Sequence, residues 1–263
     1  LLLGAPVVII LALLAAIGHL SIPEGEIVFR KFFPLIYLDT LFIAITVIAL
    51  GALGMGLWRF WKALESNPFY HPEPENKQGF IRSVLAVVGE IATHRKFSDC
   101  EKAGYRAKAH MSAFYGFIAC FITTTIVFFG LYWFDLVLPM KLSNPVKILG
   151  NVGGLFLVAG CSMAIIKRLR APDNAGLSGY YDWLFLLVLT LIGVTGILTE
   201  VLRLADLPYG AYPMYFVHLV FVFFLLAYMP YSKFAHLFYR ILALIWAKRA
   251  NRERTLDLVK GDE

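Results

Sequence analysis

Six apolar runs, each near or above the length needed to cross a bilayer, leave this chain few folds to choose from. Spanning ~30 Å of hydrocarbon as a helix takes about 20 residues, and the runs lie at 3–19, 34–63, 107–137, 147–167, 179–203 and 212–247. They are continuously apolar where a barrel strand would alternate, so helices remain as the way to satisfy the backbone in lipid. Composition agrees: 59% of residues are hydrophobic and only 16% are charged, against ~25% charged in an ordinary soluble domain. The first run has no basic segment or Met before it. It is read as a spanning helix whose upstream sequence is missing, with a signal peptide as the alternative. The expected fold is therefore all-α: a six-helix transmembrane bundle over residues 1–250, with a cytoplasmic loop at about 64–106 and a cytoplasmic tail at 251–263.

The formal charge of +6 does not point to nucleic acid, because the basic residues lie between or after the apolar runs. Lys77, Arg82, Arg95, Lys96, Lys102, Arg106 and Lys108 follow the second run, Lys167, Arg168 and Arg170 the fourth, and Lys248, Arg249, Arg252 and Arg254 the sixth. The opposite loops mix Glu24 and Glu26 with Arg30 and Lys31, and Arg203 with Asp206. Excess Lys and Arg marks the cytoplasmic side, so the chain is expected in the cytoplasmic membrane as a multi-pass protein with both termini cytoplasmic. Within the long loop, Ile81, Val84, Leu85, Val88, Ile91 and Ala92 recur at helical spacing beside Arg82, Glu90 and Arg95. That pattern predicts an amphipathic helix that lies in the interface or docks a soluble partner. The proline-punctuated stretch at 67–76 reads as irregular loop.

Chemistry is carried by histidine. Three cysteines, none in C-x-x-C spacing, exclude a disulfide scaffold or a cysteine-ligated iron–sulfur cluster within this chain. His71 and His94 fall in the polar loop, but His19, His110, His218 and His236 fall in or at the ends of the spans, where an ionisable residue is a functional hypothesis by default. His218 and His236 are 18 residues apart in the last run. In one continuous helix that is five turns, placing both on one face ~27 Å apart. Each could then give one axial bond to a separate haem. By depth, His110 pairs with His236 near the cytoplasmic face and His19 pairs with His218 near the other.

These residues resemble a known family. The carrying segments are Gly18-His-Leu-Ser-Ile-Pro, Ala109-His-Met-Ser-Ala-Phe-Tyr-Gly, Tyr215-Phe-Val-His-Leu-Val and Tyr228-Met-Pro-Tyr-Ser-Lys-Phe-Ala-His. They are similar to the dihaem cytochrome b of respiratory nitrate reductase (gamma-like) and, more closely, to the membrane cytochrome b part of the quinone-interacting membrane-bound oxidoreductase (Qmo) complex. Sulfite-reduction-complex and heterodisulfide-reductase cytochromes are cousins. The resemblance implies two haem b groups and electron transfer between menaquinone or menaquinol and cytoplasmic iron–sulfur and flavoprotein subunits, linked to adenylylsulfate reductase in sulfate respiration. Cys120 stands where the nitrate-reductase pattern has a second histidine, so the ligand opposite His218 is His19 or Cys120. The Qmo membrane subunit resembles a fusion with an N-terminal iron–sulfur domain, whose cysteines are not in this sequence.

A quinone pocket needs a polar group to bind a ring oxygen or accept a proton. Asp39 is the first choice, with Tyr37 and Lys31 beside it and Lys147 and Glu200 near the same face. Two other classes remain open: a haem-free membrane anchor for a redox complex, and a transporter.

Overall fold

The computed structural model describes residues 4–66, 79–93, 104–170 and 179–250, and every regular element among them is helical. In chain order these are α1 (Gly4–Ala16), α2 (Phe29–Phe32), α3 (Leu35–Glu65), α4 (Phe80–Thr93), α5 (Gly104–Trp133), α6 (Pro145–Arg170), α7 (Tyr180–Leu204), α8 (Pro208–Tyr228), a 3₁₀ turn (Met229–Tyr231) and α9 (Lys233–Arg249). Five stretches are long and apolar enough to cross a membrane: Leu35–Glu65, Ala107–Trp133, Pro145–Arg170, Tyr180–Leu204 and Pro208–Tyr231. Their outer faces carry large apolar side chains such as Val47 (63% exposed), Ile48 (66%) and Phe121 (61%). A bilayer is the solvent in which such surfaces are stable. The expected tail at 251–263, the loop segments 67–78 and 94–103, and His71 and His94 with them lie outside the described residues.

Among the described residues the first run forms a helix of 13 residues, α1, and five helices reach spanning length. The helix stops because Gly18 takes φ +73, a left-handed conformation that a residue with Cβ resists. It closes with the paired bonds Gly18 N–H to Ala15 O (3.1 Å) and His19 N–H to Leu14 O (2.9 Å), the Schellman arrangement. The last run is not one helix. Pro230 cannot donate to the α ladder, and the chain tightens into the 3₁₀ turn at Met229–Tyr231. Ser232 then extends (ψ 177) and caps α9 by accepting from Phe234 N–H. The five-turn register that put His218 and His236 on one helix face does not survive this break.

The chain divides into two compact units. The first comprises residues 1–46 and 104–227. In it α5 and α6 meet main chain to main chain. A Cβ on Gly160 would strike Ala113 N and come within 2.7 Å of Ala109 O, and one on Gly153 would come within 2.7 Å of Ala119 Cβ. A Cβ on Gly116 would strike Leu157 N. Small residues at this seam allow the approach that drives helix association in lipid. Ser112 Oγ adds a donation to Phe156 O at 2.8 Å. The next seam, α6 to α7, repeats the device where Gly193 faces Val158 and Gly154 faces Ile197. A second core gathers Ile10 and Leu14 of α1, Phe32 and Phe33, and Tyr212, Leu219, Val220 and Phe223 of α8.

The second unit comprises residues 47–103 and 228–263. Tyr239 of α9 reaches α3, where its hydroxyl occupies the space a Cβ on Gly56 would need and its ring meets Phe60 edge-on at 5.3 Å. The expected amphipathic helix is present as α4. It buries Ser83 and Val87 and turns Phe80, Ile81, Leu85 and Val88 outward.

Gly160→Ala is expected to destabilise the detergent-solubilised chain by about 2 kcal/mol, since the added methyl has only backbone to push against. Gly51→Ala, with nothing within 4 Å, is expected to be neutral or slightly stabilising. Denaturant unfolding midpoints of the two variants check the contrast.

Candidate functional site

His218 lies at the middle of α8, ten residues from its start at Pro208. Its ring rests on α7. Nδ1 is 3.1 Å from Ile192 O and 3.1 Å from Thr195 Oγ1. A carbonyl only accepts, so Nδ1 carries the proton. The Thr195 hydroxyl hydrogen is already given to Leu191 O at 2.6 Å, so Thr195 accepts from the imidazole as well. The ring fits because Gly196 has no side chain: a Cβ there would lie 3.1 Å from His218 Cε1. Nε2, the other nitrogen, has no hydrogen-bond partner among the described residues. A histidine whose Nδ1–H is held by a carbonyl and whose Nε2 lone pair is unengaged has the arrangement of a metal-ligating imidazole.

His19 has the same arrangement in the same unit. The Schellman turn that ends α1 presents it beside α2, where Nδ1 donates to Lys31 O at 2.9 Å. From there a chain of contacts leads to α8. Phe29, two residues before Lys31, stacks on Tyr215 with centroids 4.4 Å apart, and Tyr215 is one turn before His218. Val28 N–H donates to the buried Tyr212 hydroxyl at 3.2 Å. No hydrogen bond or ring contact joins His19 to His218 directly among the described residues.

The other two histidines are set differently. His110, near the start of α5, is exposed, with Phe114 one turn on at a ring distance of 6.2 Å. His236 is exposed on α9. They fall in different compact units. Cys120 points to α6, its Sγ 3.9 Å from Gly150 O, in the α5–α6 seam. No group of three or more His, Cys, Asp or Glu side chains able to hold a bare metal ion occurs among the described residues. Any metal at His218 therefore has to bring most of its own ligands, as a haem iron does.

Among the quinone candidates, Asp39 has a partner the sequence did not announce: the Tyr132 hydroxyl of α5 donates to Asp39 Oδ2 at 2.5 Å, across 93 residues of sequence. Asp39 also lies within electrostatic range of the Tyr215 phenol. Tyr37 is exposed, and Lys31 contributes the backbone carbonyl that holds His19. Lys147 and Glu200 pair with each other at 2.6 Å, and Arg203 completes the group through Nη2 at 2.8 Å from Glu200 Oε1. All three are about one-fifth exposed or less. The residues that sequence reasoning missed are Ile192, Thr195, Gly196 and Tyr132. Gly193 and Gly196, three apart around Thr195, were the one visible sign of a close approach there.

The sequence model of the citrate utilization protein B family matches residues 2–257. The chain belongs to this family. Citrate utilization protein B of Escherichia coli is 29% identical over 242 residues, which are 89% of this chain and 62% of that protein, so the chain spans less than two thirds of that relative's length. A subunit of dihydromethanophenazine:CoB–CoM heterodisulfide reductase from Methanosarcina thermophila is 26% identical over 199 residues, 71% of this chain and 72% of that subunit. The corresponding polypeptide of Methanosarcina barkeri is 26% identical over 114 residues, 41% of this chain and 43% of its own length. No solved structure matches. Membership of the citrate utilization protein B family overturns the resemblance to nitrate-reductase gamma cytochromes and to the Qmo membrane subunit. The structure supplies a reason: the spacing of 18 residues that carried the resemblance presupposed one helix, and α8 and α9 are two.

Replacing Glu200 by Ala is expected to cost about 3 kcal/mol in detergent unfolding, because it strands two largely shielded cations, Lys147 and Arg203. Adding Lys147→Ala should recover part of the loss by removing one of the stranded charges.

Proposed function

We propose that this chain is the haem b-bearing membrane subunit of an oxidoreductase complex, passing electrons between a lipid-soluble carrier of the menaquinone class and a cytoplasmic iron–sulfur or flavin partner. The observation that carries this is the setting of His218. Its imidazole stands in mid-span, its Nδ1–H is engaged by Ile192 O, its Nε2 has no protein partner among the described residues, and Gly196 makes room for the ring. His19, with Nδ1 engaged by Lys31 O in the same unit, would be the second histidine to hold that haem. Similarity to a polypeptide of heterodisulfide reductase supports a place in a redox complex. The link to sulfate respiration falls with the resemblance that suggested it.

A bound haem b supplies a reversible one-electron change at its iron. The chain's own residues do the rest. Ile192 O and Thr195 fix the tautomer and plane of His218, and the apolar spans exclude water from it. Asp39, hydrogen-bonded to Tyr132, is the group proposed to take a proton from a carrier hydroxyl. Tyr37 and Lys31 flank the same end of the bundle. A second haem is proposed on His236 of α9, whose last turn carries Lys248 and Arg249, residues that the positive-inside rule assigns to the cytoplasmic side.

The test is a pyridine haemochrome assay with a reduced-minus-oxidised spectrum on the purified chain. Two b haems per chain are expected, with one lost in His218→Ala and one in His236→Ala. His19→Ala is expected to convert the His218 haem from a six-coordinate to a five-coordinate spectrum. One haem per chain that survives His236→Ala and is lost in His218→Ala removes the second site only. None in a folded, membrane-inserted chain leaves a haem-free anchor.

A further inference from the structure

The amphipathic helix α4 has no part in the proposed redox chemistry, and its surface divides into three stripes at helical spacing. Ser83 and Val87, four residues apart, are buried, and α4 packs against α9. The Ser83 hydroxyl donates to Gly79 O at 3.2 Å, so its burial strands no donor. Ile81, Leu85 and Val88 form the second stripe and are 74%, 67% and 52% exposed. Arg82, Ala86 and Gly89 form the third, and all of them are exposed as well. At roughly 100° per residue the three stripes lie about a third of a turn apart. One helix thus shows a buried side, a wholly apolar exposed side, and an exposed side of one cation and two small residues.

The end of α3 fixes where this helix sits. The exposed apolar surface of α3 runs out to Met55 and Trp58, 60% and 58% exposed, and the Lys62 ammonium stands 3.9 Å over the Trp58 ring. A tryptophan and a lysine at the end of a span mark the level of the headgroups. Trp61, one turn after Trp58, meets Phe80, the first residue of α4, edge-on at 5.9 Å. α4 therefore starts where the bilayer-facing surface of α3 ends. We infer that the stripe of Ile81, Leu85 and Val88 is seated in the membrane, at the boundary between headgroups and acyl chains, with the Arg82 stripe turned to headgroups and water. An apolar stripe bordered by a polar one and anchored at this depth already has lipid beside it, and burial of that stripe is what holds an interfacial helix in place. Arg82 and Lys62 add positive charge at the same level, which suits an anionic leaflet. The surface uses none of the residues proposed to hold haem or the carrier.

The full chain, with its three cysteines exchanged for alanine, is given one new cysteine bearing a bimane fluorophore and reconstituted in nanodiscs of phosphatidylcholine and phosphatidylglycerol. Emission is read with brominated acyl chains in the bilayer and, separately, with iodide in the buffer. On Ile81→Cys and Leu85→Cys, brominated chains are expected to quench at least about twofold and iodide only weakly, and on Arg82→Cys and Ala86→Cys the order is expected to reverse. Should the alanine background misfold, the native-cysteine chain replaces it, with the signal of the labelled parent subtracted. Iodide quenching as strong at positions 81 and 85 as at position 86 places the apolar stripe in water; it overturns the proposal and leaves the stripe to a soluble partner. Protection of positions 81 and 85 from both quenchers overturns it too, because the cover is then protein.

Discussion

Main chain pressed against main chain between α5 and α6 is the contact on which the first unit depends. In lipid there is no water for apolar side chains to escape, so helices associate by close packing and not by burial of oil from water. Gly116, Gly153 and Gly160 let the α5 and α6 backbones touch, and Gly154 and Gly193 continue the approach from α6 to α7. At the third seam the same vacancy has another use. Gly196 of α7 faces α8, and what fills the space is not a neighbouring helix backbone but the imidazole of His218. One packing device, repeated across three seams, thus ends by seating a polar ring.

Polar groups inside the spans obey a second rule: nearly all are matched locally. Thr40, Thr46, Thr124, Thr125, Thr190, Thr195 and Thr199 each donate to a carbonyl one turn earlier, the cheapest way to carry a hydroxyl in a helix. Glu200 answers two cations from two helices. Among the described residues only Thr123 Oγ1 and Arg168 Nη1 are shielded side-chain atoms without a hydrogen-bond partner. The first is a neutral hydroxyl pressed against Gly150. The second belongs to a charge, which makes it the costlier exception.

The sequence made the membrane class, the positions of five spans and the helix α4 legible, because apolar length and helical spacing are local properties. Where the reading failed, the deciding information was either finer or more distant. Hydropathy is continuous through residues 212–247, so the run looked unbroken. The Pro230-Tyr-Ser232 sequence that ends one helix and caps the next weighs little in an average over about twenty residues. Gly18 ended α1 in the same quiet way. For the candidate site, histidine as the residue type was legible, but its environment was not. Ile192 O lies 26 residues from His218 in sequence, and Tyr132 lies 93 from Asp39. A carbonyl presented by a packed helix has no side-chain signature at all.

The bond from His218 to Ile192 O has a thermodynamic consequence. A free histidine divides its proton between two nitrogens and its ring among several rotamers, and any ligand that needs one tautomer in one orientation must meet the cost of selecting it. Here helix packing makes both selections during folding: the Gly196 notch fixes the plane and the main-chain oxygen fixes the tautomer. The coordinating lone pair is preorganised by a residue whose side chain plays no part. Exchanging Ile192 for another apolar residue would therefore leave the atom that matters in place, and the preorganisation is encoded in the spacing of two helices more than in the identity of any one side chain.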